Sequence, residues 1–181
     1  MLSSWLRIPP LVRIPLMYGV LGGLLSLAFA ISFYYLGKHP FWMSPFFDVR
    51  VFVIAIFLFF SLREVRDYFY GGVLYFWQGL GGCYIYLASM TAVSTLGLIV
   101  FVKYQPDFLN DYKNIGLQQL RNLSPDAIQE IGKPAVDELL KTLPDYTLQE
   151  MAQKYAWQTL IIGTFITIII SVISRRQPKT Q

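Results

Sequence analysis

The strongest constraint in this sequence is the stretch from Gly71 to Val102, which contains no charged side chain. It is longer than the roughly 20 residues a helix needs to cross the hydrocarbon core of a bilayer. The apolar run ahead of it, Val51 to Leu62, is too short alone. A helix starting near Pro45 reaches span length if Arg50 and Arg63 extend to opposite interfaces. The charged decapeptide REVRDYFYGG, residues 63–72, joins the two runs, so residues 45–102 read as a helical hairpin in a membrane.

Composition agrees with this reading. Of 181 residues, 55% are hydrophobic and 14% charged, against about 25% charged in soluble domains. The net charge of +4 comes from basic residues beside apolar runs rather than on one face, so it reads as topological and nucleic acid is not expected as a partner. The single cysteine, Cys83, excludes an intramolecular disulfide and a multi-cysteine metal site.

Along the chain, Ile14 to Gly37 is longer than a signal-peptide core and reads as an uncleaved first span. Gly19 and Gly23, Gly22 and Ser26, and Ser26 and Ala30 are each four apart, a spacing that lines one side of a helix and permits close packing, here expected within the monomer. The following connection has the aromatic composition of a headgroup layer, with His39 interfacial or solvated. Asp48 and Arg50, two apart, do not share a helical face well. In the charged turn, Arg63 and Asp67 form an i,i+4 pair beside Arg66, and Gly71-Gly72 can supply unusual backbone angles. Valine is therefore expected to do more damage at Gly72 than at Gly37. The third helix carries Gly79, Gly81, Gly82 and Cys83, with Ala88 and Ala92 expected to continue its small-residue seam. Gln78 is placed one turn inside the membrane, where an amide needs a partner.

Residues 103–153 hold eight of the eleven acidic residues and read as a polar insert of short helices. Ser124-Pro125 is a helix start, Lys133-Pro134 a break and restart, and Thr147 with Glu150 a capping box. In the last helix, Thr159, Gly163 and Thr167 mark an inward side, and the isoleucines suit lipid. The expected fold is all-α: a polytopic membrane protein with four spans at about 14–37, 45–66, 73–103 and 152–174, and an extracytoplasmic helical insert at 104–150.

With the N-terminus inside, Arg7, Arg13, Arg63, Arg66, Arg175, Arg176 and Lys179 gather on the cytoplasmic face against Glu64 and Asp67. The positive-inside rule then predicts that both termini are cytoplasmic, with a bacterial inner membrane as the simplest host. The sequence contains no P-loop, dinucleotide fingerprint or H-E-x-x-H motif. The adjacent carboxylates Asp137 and Glu138 point different ways on a helix, and no acidic residue falls in the centre of a span. No enzyme activity, cofactor or metal is expected.

The glycine-seamed first helix, the string Arg66-Asp67, Gly71-Gly72, Phe76, Gly79, the segment Tyr104-Gln105-Pro106-Asp107-Phe108 and the basic tail together resemble the DUF4199 family over roughly residues 14–176. The resemblance implies a four-helix membrane protein of a kind found chiefly in Bacteroidota, with no known activity. Two functional readings follow. The first is an accessory or scaffold subunit surrounded by membrane lipid and bound to a protein partner or a second copy. The second is a small oligomeric transporter, channel or sensor for a neutral or lipidic compound held beside Gln78 and Gln158.

Overall fold

The computed structural model describes residues 8–42 and 48–177. Among these described residues seven α-helices follow in order: α1 (Pro10–Tyr35), α2 (Val49–Glu64), α3 (Phe76–Tyr104), α4 (Asp107–Arg121), α5 (Pro125–Ile131), α6 (Lys133–Thr142) and α7 (Leu148–Ser174). Among the described residues three helices, α1, α3 and α7, are long and apolar enough to cross a membrane, with 26, 29 and 27 residues. With 16 residues α2 is shorter, and a π-helical turn, Val65–Phe69, prolongs it. Its expected start near Pro45 lies outside the described residues; the described helix begins at Val49.

The ends of these helices follow from their sequences. Pro10 opens α1, where a missing N–H costs nothing. At the other end Gly37 takes φ +77°, its N–H bonds Tyr34 O, and Lys38 N–H bonds Phe33 O, a Schellman closure. Gly71 and Gly72 also have positive φ, +59° and +82°. Because Gly37 shares this conformation, valine is strained at both positions, and the expected contrast between Gly72 and Gly37 has no basis in backbone angle. After the diglycine, Leu74 and Arg176 exchange two backbone hydrogen bonds of 3.0 Å, tying the C-terminal segment to the turn. Arg66 is buried against this junction, bonding Asp67 at 2.7 Å and the Ser174 carbonyl at 3.3 Å. The Arg66–Asp67 bond, with Arg63 nearby, holds the Asp67 carboxyl below the usual range.

Packing is set by where small residues let backbones approach. The α1 face carrying Gly19, Gly22 and Gly23 lies directly on α3: a Cβ at Gly19 would fall 2.5 Å from the Tyr86 carbonyl, and one at Gly23 2.8 Å from that of Met90. Ser89 spans the contact, donating to Leu16 O at 3.3 Å. On the other side of α3, Gly163 of α7 receives Leu87. Thr159 and Thr167 are buried on the same side of α7, while Ile161, Ile168, Ile169 and Ile173 face outward. The centre is filled by Ile54, Leu58 and Leu62 of α2 against Tyr86, Leu87 and Met90 of α3. Ala88 and Ala92, expected to extend the α3 seam, face outward instead. The buried face runs through Gly79, Gly82, Tyr86, Met90, Ser94 and Leu98, and steps of four from the exposed Tyr84 lead through Ala88 and Ala92 on the opposite side.

The short helices α4 to α6 form a cap over one end of the bundle. Ser124 accepts from Ala127 N–H, Gly132 with φ +94° separates α5 from α6, and Thr147 and Glu150 form the capping box of α7. An aromatic cluster fastens the cap. Phe108 and Tyr112 of α4 meet Tyr34, Phe41, Trp42 and Phe101, and the Trp42 indole donates to Tyr112 O at 3.1 Å. His39 sits inside this cluster with 6% exposure, and so is not solvated. Two bonds account for its burial. Its Nε2 lies 3.0 Å from Phe108 O and its Nδ1 accepts Phe41 N–H at 3.4 Å, a pairing that suits the neutral ring with the proton on Nε2.

Two outcomes follow. Gly19→Ala forces α1 from α3 and should destabilise by about 1–3 kcal/mol, whereas Gly81→Ala, with nothing within 4 Å of the added atom, should be neutral or slightly stabilising in thermal unfolding of the detergent-solubilised protein. Burial lowers the His39 pKa below 6.5, opposed by the Phe108 carbonyl and by Asp111. The unfolded chain then takes up the proton first, so stability is fully present above pH 6.5 and falls as pH drops from there towards the folded pKa. His39→Gln should flatten that part of the melting-temperature profile; an unchanged profile would assign the pH dependence elsewhere.

Candidate functional site

In the bundle α1 packs on α3 and α2, α7 packs on α3 and α2, and α1 and α7 barely touch. The described part of α2 begins at Val49, below the cap, and at this end a cleft of about 290 Å³ lies between α1 and α7. Ser26, Phe29, Ala30 and Phe33 line it from α1, and Tyr155, Gln158, Ile161 and Ile162 from α7. Asp48, Val49 and Arg50 line it from the start of α2.

The polar part of this cleft is built by the helix start. Asp48 is the N-cap of α2, its side chain accepting Arg50 N–H at 3.0 Å. The Arg50 side chain folds back on the same carboxylate, with Nε 2.9 Å from both oxygens and Nη2 on Oδ2. Residues two apart do not face one another along a helix, but a cap residue has left the helix, and this pairing needs only that. Arg50 Nη1 donates to Thr159 Oγ1 at 3.0 Å, and the guanidinium lies 4.6 Å from the Tyr155 ring centre. Arg50 and Asp48 retain 15% and 17% side-chain exposure. Arg50 therefore does not reach out to an interface; it is drawn inward onto Asp48 and α7.

The two glutamines expected to share a gap are separated. Gln78 Oε1 accepts Tyr75 N–H at 3.2 Å and so closes the first turn of α3, which accounts for an amide at that position without any intramembrane partner. Gln158 lines the cleft. Since Gly163 of α7 lies level with Leu87 of α3, the two side chains lie roughly 20 Å apart along the helix axes. The packing residues Gly19, Gly23 and Gly163 lie in helix interfaces, Gly79 and Gly82 face Leu62, and Ser26 and Ala30 border the cleft. Arg63, Arg66, Asp67, Gly71 and Gly72 form the turn at the far end of the bundle. Cys83 is buried against Ser171. Among the described residues no group of three or more histidine, cysteine or carboxylate side chains could hold a metal.

Asp48→Ala removes a cap, worth about 1 kcal/mol, and leaves a mostly buried guanidinium without its counter-charge, for a total of about 3 kcal/mol. Arg50→Met keeps the cap and should cost less. Thermal unfolding of both variants checks the order, and an Arg50→Met protein less stable than Asp48→Ala would contradict it.

A family model described as a protein of unknown function, DUF4199, matches residues 17–176. No curated protein and no solved structure matches the chain. The matched span runs from within α1 through the cap to the end of α7 and the bridged Arg176. A membrane protein with several long apolar helices, this chain belongs to the DUF4199 family.

Proposed function

We propose that this chain is a non-enzymatic accessory or scaffold subunit of a larger assembly in a bacterial inner membrane. The observation that carries this reading is the cap. Its aromatic cluster is buried and its hydrogen bonds join α4 to the 39–42 segment and to α7, so the exposed faces of α4 to α6 are held at fixed positions. Ordering such a segment is entropically costly, and a rigid surface without catalytic groups suits contact with another protein. In this reading the segment at about 45–66, roughly 30 Å long as a helix, crosses as a fourth span. The spans are about 14–37, 45–66, 73–103 and 152–174, the insert 104–150 is extracytoplasmic, and both termini are cytoplasmic. The cationic end, with Arg13, Arg63, Arg66, Arg175 and Arg176 against Glu64 and Asp67, supports that orientation.

A second reading, a small oligomeric transporter, channel or sensor for a neutral or lipidic compound, is favoured by the cleft beside Gln158. The bundle centre between α2 and α3 is filled by buried side chains, so conduction in this reading runs between copies.

Gentle extraction followed by native mass spectrometry should release the chain with a stoichiometric protein partner or a second copy; a strictly monomeric, partnerless species across mild detergents would contradict the accessory role. Orientation has its own check. In a Cys83→Ser background, Asp126→Cys in intact cells should react with an impermeant maleimide and Gln177→Cys should not. The reverse pattern would invert the topology.

A further inference from the structure

Of the residues lining the α1–α7 cleft, Ser26 carries a buried Oγ with no hydrogen-bond partner among the described residues, and the buried Tyr155 OH has only loose contacts, with Ser94 and Arg50. The residues are 3% and 4% exposed. A buried hydroxyl left unpaired is costly, and natural folds seldom keep one without a use or an unseen partner. Beside them Arg50 spends three of the five guanidinium N–H groups on Asp48 and Thr159, leaving two that have only Tyr155 close by among the described residues. The Gln158 amide borders the same space. The base of an otherwise apolar cleft therefore holds the unpaired Ser26 hydroxyl just beneath its surface, an Arg50 guanidinium with N–H groups to spare and the Gln158 amide.

The charge of this base selects among ligands. Asp48 neutralises Arg50 at 2.9 Å, so an anionic head drawn to the guanidinium would also meet the carboxylate. An uncharged head that both accepts and donates, a hydroxyl with an ester or amide carbonyl, suits the groups present. The walls set the rest of the molecule. Phe29 and Ile161 line the cleft and are exposed on the outer surface of the bundle, so an apolar tail can leave sideways between α1 and α7. A volume of about 290 Å³ holds roughly ten water-sized groups, enough for a head and the first methylenes.

We propose that the cleft between α1 and α7 binds a neutral amphiphile, its hydroxyl-and-carbonyl head held by Arg50, Ser26, Tyr155 and Gln158 and its chain leaving along Phe29 and Ile161. This does not rest on the accessory-subunit reading: a partnerless monomer that binds such a molecule removes that reading and leaves this one standing.

The test titrates monooleoylglycerol into the full chain in maltoside micelles and follows the melting temperature, with oleate as the anionic comparison of the same chain length. Monooleoylglycerol should stabilise saturably, and oleate should bind at least tenfold more weakly. The double variant Ser26→Ala/Tyr155→Phe should retain a cooperative ligand-free transition and lose tenfold or more in affinity. Gln158→Leu, at a partly exposed position, serves the same purpose if the double variant does not fold. Absence of saturable stabilisation by monooleoylglycerol, oleate binding as tightly, or an unchanged affinity in the folding-competent variants would each overturn the proposal.

Discussion

The pairing of Asp48 with Arg50 governs the functional end of this molecule. A guanidinium withdrawn from water needs an adjacent counter-charge and filled hydrogen-bond positions. Here the counter-charge is the helix cap itself, so one carboxylate starts α2 and neutralises the cation that follows it. The start of α2 is thereby fixed against Thr159 and Tyr155 of α7. Because the described helix begins below the cap and α1 barely meets α7, the same pair lies exposed to a cleft rather than sealed in the core.

The rest of the architecture holds that arrangement in place. Gly19, Gly22 and Gly23 bring α1 onto α3, Gly163 admits Leu87 between α3 and α7, and the filled centre leaves α1 and α7 on opposite diagonals. At the cap end, His39 and the surrounding rings bind α4 to the segment leaving α1. At the other end, the Leu74–Arg176 bridge and buried Arg66 join the charged turn to the end of α7. Both ends of the bundle are thus clasped by polar contacts, while its length is held by close packing without a dominant hydrogen-bonded network.

The long helices were legible because uncharged length is a property of the sequence alone. The caps were legible for a related reason: Ser124-Pro125 and Thr147 with Glu150 are local chemistry, satisfied within one turn. What could not be read was rotation. A helix apolar on every side carries little periodicity, so Gly79 and Gly82 could be assigned to a seam while Ala88 and Ala92, equally small, turned out to face away. Polar residues failed differently. Depth and composition say little about Gln78 and His39, whose roles are set by particular partners: Gln78 Oε1 accepts the Tyr75 N–H at its own helix start, and His39 is held by the carbonyl of Phe108. The signal available for Asp48 was its position as an acidic residue just ahead of a helix, the ordinary mark of an N-cap. Tyr155 and Ser26 carry no such signal, since what a buried hydroxyl meets is decided by neighbours distant in sequence.

The central claim is that a polar-based cleft persists between α1 and α7 and holds a ligand from the surrounding membrane. The most direct measurement is an experimental structure of the full chain reconstituted with native lipid. The account predicts elongated non-protein density entering between Phe29 and Ile161 and ending within hydrogen-bond distance of Arg50 and Tyr155. Contact between α1 and α7 along Ser26 to Phe33, or a cleft filled by protein side chains, would contradict it.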